Sequence, residues 1–122
     1  MAKILVADDE IDLEMLIKQK FRQKIREHQY EFFFAVNGND ALEKIRQNPD
    51  IEIVLSDINM PEMDGLTLLS RLSESSPLIK AVIVSAYGDA ENFNMARQLG
   101  ADDFLTKPID FNLLKEKLKI TS

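Results

Sequence analysis

The sequence predicts an α/β fold in which a parallel β-sheet carries helices on both faces. Two kinds of segment predict it. Five short apolar runs, rich in β-branched and aromatic residues, alternate along the 122 residues with five longer segments whose apolar residues recur at helical spacing. Strand–helix alternation of this kind gives parallel strands joined by right-handed crossovers. The length corresponds to one domain, since most domains have about 100–150 residues.

The five apolar runs are nearly continuous, which is typical of strands buried on both faces of a parallel sheet. We place the strands at residues 4–7, 32–36, 51–55, 81–85 and 104–106.

The first helical segment is long and carries one apolar stripe that includes Leu13, Ile17 and Phe21. Asp110 is a candidate N-cap of the last helix, and Gly100 a candidate C-terminal cap of the helix before it. We place the five helices at residues 11–28, 40–47, 65–72, 90–99 and 110–120.

The composition excludes several classes of function. The chain has no cysteine and a single histidine, His28, which excludes disulfide scaffolds, thiolate metal sites and sites with two imidazoles. The net charge of −6 argues against direct nucleic acid binding, because phosphate backbones are bound by basic surfaces. No run approaches the roughly 18 apolar residues of a membrane helix, and the N-terminus lacks the apolar segment of a signal peptide. We therefore expect a cytoplasmic protein without a membrane partner.

Charged and hydroxyl side chains follow four of the predicted strands. Because parallel strands end at the same edge of a sheet, these side chains should meet there. Clustered carboxylates need a cation, and oxygen ligands without histidine or cysteine suit Mg²⁺. An added ammonium and hydroxyl would suit a phosphoryl group, so the residues alone predict an anion or metal site at this edge. The residues are Asp8, Asp9 and Glu10 after the first strand, Asp57 after the third, Ser85 in the fourth and Lys107 after the fifth.

Taken singly, these residues have ordinary interpretations. An aspartate after a strand commonly caps a helix, and acidic residues favour a helix N-terminus. Their joint placement after four strands favours a site. His28 lies at the tail of the first helix, far from this edge, and we interpret it as a surface residue. Asp102 and Asp103 enter the last strand at the opposite edge, where we expect them to be solvated.

Four runs at the predicted edge carry a resemblance to a known family. The chain resembles, essentially over residues 1–122, the receiver domain of two-component response regulators, as a single domain without an output domain. The resemblance implies a flavodoxin-like, doubly wound (βα)5 sheet with strand order 2-1-3-4-5. The runs are ILVADDE at 4–10, LSDINMPEMDG at 55–65, VSAY at 84–87 and GADDFLTKP at 100–108.

The resemblance implies roles for the acidic residues. Asp57 would accept a phosphoryl group from the phosphohistidine of a kinase. Asp9, Asp57 and the backbone carbonyl of Asn59 would bind Mg²⁺ directly, and Asp8 would act through a metal-bound water.

It also implies roles for the remaining edge residues. Lys107, joined to Pro108 by a cis peptide, would pair with the acceptor carboxylate and then with the phosphoryl oxygens. Ser85 would donate to the phosphoryl group once it forms. Phe104 occupies the position of a rotamer switch and, lacking a hydroxyl, could switch only by packing. Tyr87 would hinder the water that hydrolyses the acyl phosphate.

The function implied is a phosphorylation-controlled signalling switch, not an enzyme with an external substrate, although self-phosphorylation from small phosphodonors and self-dephosphorylation are compatible with it. Its partners would be a histidine kinase or phosphotransfer protein and an output domain or downstream protein. The face made by the fourth helix, the fifth strand and the fifth helix would carry the switch, and it is also a candidate surface for a homodimer.

Three alternatives remain open. An aspartate-nucleophile phosphatase would need Asp-x-Asp after the first strand, where this chain has Asp8, Asp9 and Glu10. A flavin-binding module would need a phosphate-binding loop in the same place, where three acidic residues would repel phosphate. A pseudo-receiver, folded but never phosphorylated, would differ in its affinity for Mg²⁺.

Overall fold

The computed structural model describes residues 1–86 and 89–118 and contains one five-stranded sheet, with every strand parallel to its neighbours. The order is β2-β1-β3-β4-β5, which confirms the predicted doubly wound, flavodoxin-like α/β fold. The strands are β1 (Ala2–Ala7), β2 (Tyr30–Ala35), β3 (Ile53–Asp57), β4 (Lys80–Ala86) and β5 (Asp103–Lys107).

Six helices connect and flank these strands in the part of the chain that the structure describes. Each predicted helical segment contains a helix, but the first segment contains two, so the predicted fourth and fifth helices are α5 and α6. Positions 119 and 120 of the last predicted helix lie outside the described residues. Within the described ranges, none of the helices is both long and apolar enough to cross a membrane. The helices are α1 (Ile11–Lys20), α2 (Arg22–Arg26), α3 (Gly38–Gln47), α4 (Gly65–Ser75), α5 (Ala90–Gln98) and α6 (Phe111–Lys117).

The predicted first helix is interrupted at Phe21, whose backbone has φ −106° and ψ 15°. Hydrogen bonds still cross the break, because the Phe21 amide donates to the Ile17 carbonyl and the Phe21 carbonyl accepts from the Ile25 amide. The break coincides with the burial of Phe21 against Tyr30 and Phe32 of β2, with ring centroids 5.9 and 5.2 Å away. The apolar stripe was therefore predicted correctly, whereas the continuity of the helix was not.

The sheet is buried on both faces. Along β1, Ile4 and Val6 pack into one apolar cluster with α1 and α6, while Leu5 packs into the opposite cluster with α3 and α4. The strand β3 alternates in the same way, with Ile53 on the first face and Val54 on the second. Burial of alternate residues on opposite faces explains why the strand sequences are continuously apolar.

The strand register brings the predicted site residues to one level at the carboxyl edge. Ala7 of β1, just before Asp8, pairs with Ser56 of β3, just before Asp57. Lys107 at the end of β5 pairs with Ala86 at the end of β4. Because both faces of the sheet are packed, the backbone at this edge is held by the core.

Two helix ends have the caps that the sequence predicts. The Asp110 carboxylate accepts from the Asn112 and Leu113 amides at the start of α6. Gly100, just beyond α5, has φ 104°, a backbone conformation that glycine adopts without steric cost. These caps fix where α5 ends and α6 begins, on either side of β5.

The helix α6 is anchored to β5 by an ion pair. The Lys117 ammonium lies 2.6 Å from Asp103, and the Lys80 ammonium donates to the Lys117 carbonyl at 2.7 Å. The expectation that Asp103 is solvated was therefore wrong, because α6 returns across the start of β5 and partly covers this residue. Asp102 is exposed, as expected, and its carboxylate accepts from the Ala81 amide.

We predict that this ion pair contributes a pH-dependent increment of stability. Partial burial opposes ionisation of Asp103, but hydrogen bonds from Lys117 and the Phe104 amide outweigh it and lower the pKa of this carboxyl. Such a group adds stability above its unfolded pKa of about 3.9, and the increment is lost as the pH falls through the folded value. Asp103→Asn should therefore lower the free energy of unfolding by about 0.2–1 kcal/mol at neutral pH, and by progressively less below about pH 4.

Urea unfolding at low salt over a series of pH values would measure this difference. Glu116→Gln is the matched control for net charge, because it removes an exposed carboxylate from α6, the helix that carries Lys117. A destabilisation by Asp103→Asn that is constant with pH would contradict the ion-pair explanation.

Candidate functional site

A lysine and two carboxylates at the ends of three different strands meet at the carboxyl edge of the sheet. Asp57 ends β3 and Asp8 follows β1, and the two residues are 6% and 8% exposed. The Lys107 Nζ atom lies 2.8 Å from Asp57 Oδ2 and 3.4 Å from Asp8 Oδ2. One ammonium therefore faces two buried carboxylates in one pocket and can balance the charge of only one of them.

The pKa shifts of the pocket have clear physical causes. Burial raises the pKa of Asp8, and the nearby charge of Asp57 adds to this effect, although the Glu10 amide and Lys107 oppose it. For Lys107, burial favours the neutral amine, but the hydrogen bond and charge of Asp57, with the charge of Asp8, prevail and raise its pKa. The ammonium is thus held in its charged form, while Asp8 is ionised at a cost.

The acidic run after β1 has the donor atoms of a hard-cation site. Carboxylate oxygens of Asp8, Asp9 and Glu10 all lie within 4.8 Å of one another. Asp8 is buried, whereas Asp9 and Glu10 are exposed and line an open cavity of about 330 Å³. An all-oxygen set that opens to solvent fits Mg²⁺, which keeps several of its waters. The resemblance did not assign a ligand role to Glu10, which the structure adds to this cluster.

The loop after β3 carries Asn59, another predicted ligand. Its backbone amide lies 3.4 Å from Asp57 Oδ1, and its side chain is exposed. Asp57 therefore has Lys107 on one carboxylate oxygen and the Asn59 amide on the other. Asp9 lies in the cluster with Asp8 and Glu10, and Asp57 is not a member of that cluster.

The Ser85 hydroxyl has a partner that the sequence did not reveal. Ser85 is only 1% exposed, and its hydroxyl donates to Asp89 Oδ2 at 2.5 Å. Because a hydroxyl has a single proton to donate, this bond uses the donor that was expected to serve a phosphoryl group. The sequence signal for Asp89 was only its position just before a predicted helix.

Phe104, the predicted switch residue, is half-buried beside α5. Its ring makes an edge-to-face contact with Phe93 at 5.5 Å, and the Arg97 guanidinium lies 5.3 Å from its centroid. Phe104 therefore contacts α5 residues, and its strand β5 is separated from the strand of Asp57 by β4. Tyr87 lies outside the described residues. The Lys107–Pro108 peptide is cis, as expected.

The start of α4 packs directly against the backbone of Asp57. The Gly65 amide donates to the Ile58 carbonyl at 2.8 Å, and the Ile58 amide donates to the Val84 carbonyl at 3.1 Å. A Cβ atom at Gly65 would overlap the Asp57 carbonyl oxygen. The absence of a side chain at Gly65 therefore lets the loop after β3 close.

We predict that Gly65→Ala lowers the free energy of unfolding by about 1–3 kcal/mol, the usual cost of overpacking, because rigid backbone atoms must move. Gly38→Ala is the matched control, since it also changes the first residue of a helix but would meet the Met63 side chain instead of backbone. Urea unfolding of both variants measures the costs. An equal or greater loss for Gly38→Ala would contradict this explanation.

We also predict that Asp8→Asn stabilises the chain in metal-free buffer. A carboxyl whose pKa is raised by folding opposes folding increasingly as the pH rises from its unfolded value, about 3.9, through the folded value. In the parent, Asp8 Oδ1 accepts from the Glu10 amide at 2.8 Å. Asparagine keeps an oxygen for this hydrogen bond but carries no negative charge. The free energy of unfolding at neutral pH should therefore increase.

Thermal unfolding with and without Mg²⁺ tests this prediction, and Mg²⁺ should stabilise the parent more than Asp8→Asn. Asp12→Asn, an exposed change in the first turn of α1, should give no increase in stability. A metal-free Asp8→Asn protein less stable than the parent would contradict the prediction.

Comparison with known proteins identifies relatives along nearly the whole chain. Residues 4–119 match the profile of a family described as the response regulator receiver domain. The chain is 31% identical over 118 residues to sporulation initiation phosphotransferase F of Bacillus subtilis, covering 96% of this chain and 90% of that protein. It is 35% identical over 118 residues to the chemotaxis protein CheY of Treponema pallidum, covering 95% and 79%. Its fold matches the crystal structure of the receiver domain of NtrX from Brucella abortus with a TM-score of 0.80 and 30% identity, covering 98% and 99%.

Proposed function

Because the chain belongs to the response regulator receiver domain family of two-component signalling, we propose that it is a switch that accepts a phosphoryl group on Asp57. Receiver domains are phosphoacceptors and do not turn over an external substrate in the manner of enzymes. The observation that carries the proposal is the ammonium of Lys107, 2.8 Å from Asp57 and 3.4 Å from Asp8 at the carboxyl edge of the sheet.

In the proposed transfer, a carboxylate oxygen of Asp57 attacks the phosphorus of a kinase phosphohistidine. The oxygen–phosphorus bond forms as the nitrogen–phosphorus bond breaks, and the electron pair stays on the imidazole, which is then protonated. The product is an acyl phosphate on Asp57. Such a transfer depends mainly on positioning and on neutralising charge, and the pocket supplies both.

Lys107 acts as the fixed positive charge in this step. Its raised pKa keeps it protonated beside Asp57, so no proton has to be gained before transfer. It pairs with Asp57 Oδ2 before the reaction and with phosphoryl oxygens afterwards. Small phosphodonors could use the same pocket, and hydrolysis of the acyl phosphate by water would return the switch to its starting state.

The acidic pocket is proposed to hold Mg²⁺. Asp9, Asp57 and the backbone carbonyl of Asn59 would bind it, with Asp8 acting indirectly and Glu10 nearby. When bound, the cation neutralises negative charge on the carboxylates and on the phosphoryl oxygens. The oxygen atoms of Asp8, Asp9 and Glu10, clustered within 4.8 Å, support a cation beside the acidic run after β1.

Phosphorylation is proposed to change the conformation of the face formed by α5, β5 and α6, which is the output face. Ser85, at the level of the pocket, would turn to the phosphoryl group, and Phe104 would repack against α5. Lys107 belongs to β5 itself, so the pocket and this face share a strand. The partners would be a histidine kinase or phosphotransfer protein, and an output domain or downstream protein that binds this face. The same face is also proposed as the interface of a homodimer.

The alternative functions are less well supported by the site. The carboxylate nearer to Lys107 is that of Asp57 at the end of β3, whereas a phosphatase of the aspartate-nucleophile class would place its nucleophile after β1. Three clustered carboxylates after β1 would repel the phosphate of a flavin. A pseudo-receiver has no need for the Asp57–Lys107 pair.

Asp57→Asn tests the proposal directly. With radiolabelled acetyl phosphate and Mg²⁺, we expect the parent to become labelled, and label to be lost with Asp57→Asn or on addition of a chelator. Lys107→Ala should label at least about tenfold more slowly, because it removes the charge that stabilises transfer. Asp12→Asn, an exposed change on α1, should label like the parent. Undiminished labelling of Asp57→Asn would disprove the assignment.

A further inference from the structure

Asp89 holds the Ser85 hydroxyl by a short hydrogen bond of 2.5 Å. Ser85 is almost fully buried in β4, whereas Asp89 is half-buried and immediately precedes α5. The Asp89 amide donates to the Ala86 carbonyl at 3.2 Å, so the backbone also holds this aspartate close to the end of β4. The bond thus joins the phosphoacceptor edge of the sheet to the first turn of α5.

The Asp89 carboxylate is used in an unusual way for its position. Aspartate at a helix N-cap ordinarily accepts from the amides of the first turn. Here the Asp89 side chain makes no such capping bond, and the same oxygen, Oδ2, accepts from the Ser85 hydroxyl and, at 2.8 Å, from the Asn92 side-chain amide. Hydrogen bonds from Ser85 and then Asn92 lower the pKa of Asp89, so the acceptor is ionised at neutral pH.

Two acceptors would compete for one proton. The Ser85 hydroxyl can donate to Asp89 or to a phosphoryl oxygen, but not to both at once. Bonds to charged acceptors are stronger than bonds between neutral groups, so the carboxylate is an effective rival of the phosphoryl group. The orientation of the Ser85 hydroxyl therefore depends on whether the Asp89 carboxylate or the phosphoryl group binds it more strongly.

We propose that Asp89 is a positioning residue that holds Ser85 away from the pocket until Asp57 is phosphorylated. This proposal rests on the proposed function of Asp57. Asp89 favours the unphosphorylated state. Phosphorylation breaks the Ser85–Asp89 hydrogen bond, so that Asp89, together with the Asn92 side chain bonded to it, is no longer held by Ser85. The first turn of α5 is then free to move. The switch is thereby connected to α5 through a single exchange of hydrogen-bond acceptor.

The test measures binding of beryllofluoride, a phosphoryl analogue, in the presence of Mg²⁺ by fluorine NMR. Asp89→Ala should bind it about tenfold more tightly than the parent, because the competing acceptor is gone. Asp89→Asn, which keeps the shape and loses the charge, should lie between the two. Glu91→Ala, which removes an exposed carboxylate from the same helix turn, should bind like the parent.

A double-mutant cycle separates release of Ser85 from simple removal of negative charge. In a Ser85→Ala background, Asp89→Ala should leave the affinity unchanged, because there is no hydroxyl to release. An equal gain in that background would overturn the proposal, and so would an unchanged or weaker affinity of Asp89→Ala with Ser85 present.

Two further measurements complete the design. In the free protein, Asp89→Ala should shift the backbone amide signals of the first turn of α5 toward their positions in the beryllofluoride-bound parent, and signals that do not move in that direction would overturn the proposal. Asp57→Asn should not bind the analogue. If the parent binds no better than Asp57→Asn, the proposed function fails and the role of Asp89 fails with it, whereas parent binding without an effect of Asp89 overturns only the latter.

Discussion

The Lys107 ammonium is the interaction on which the carboxyl edge depends. It lies within 3.4 Å of two carboxylates that are almost completely removed from water, and ionised groups in such surroundings are unfavourable without an opposite charge. The cost falls at the place where the proposed function puts a cation and a phosphoryl group. Because these three groups lie at the ends of β1, β3 and β5, and β4 joins β3 to β5, the pocket exists only when these four strands are assembled.

The packed sheet fixes the backbone positions of the pocket residues, while the loops around the sheet supply further contacts to them. Both faces of β1 and β3 are buried, so the backbone that carries Asp8 and Asp57 has little freedom. The Gly65 contact adds a second restraint, since it presses the start of α4 against the Asp57 carbonyl. By contrast, Ser85 takes its hydrogen-bond partner from outside the sheet. Its connection to Asp89 is therefore the part of the site that can change without unfolding the core.

Much of the fold and site could be predicted because both depend on short-range sequence patterns. Continuous apolar strands report burial on both faces, and residues after parallel strands must share an edge, which brought Asp8, Asp57 and Lys107 together. The strand order itself came from the family resemblance. The break at Phe21 and the Ser85–Asp89 bond could not be predicted, because each depends on how side chains meet over a few ångströms. The ion pair of Asp103 with Lys117 could not be predicted for the same reason, since it depends on where α6 crosses β5.

The position of β5 at the border of the sheet has a consequence for how such chains can be recombined. This strand pairs with β4 alone, yet it carries the lysine of the pocket and lies between the two helices of the proposed output face. A crossover between two homologous genes in the turn before β5 would transfer the pocket lysine together with β5 and α6, two of the three elements of the proposed output face. The recipient would keep its own aspartate at the position of Asp57, the proposed acceptor, so chimaeras of this design would test whether downstream specificity can be exchanged without changing the acceptor.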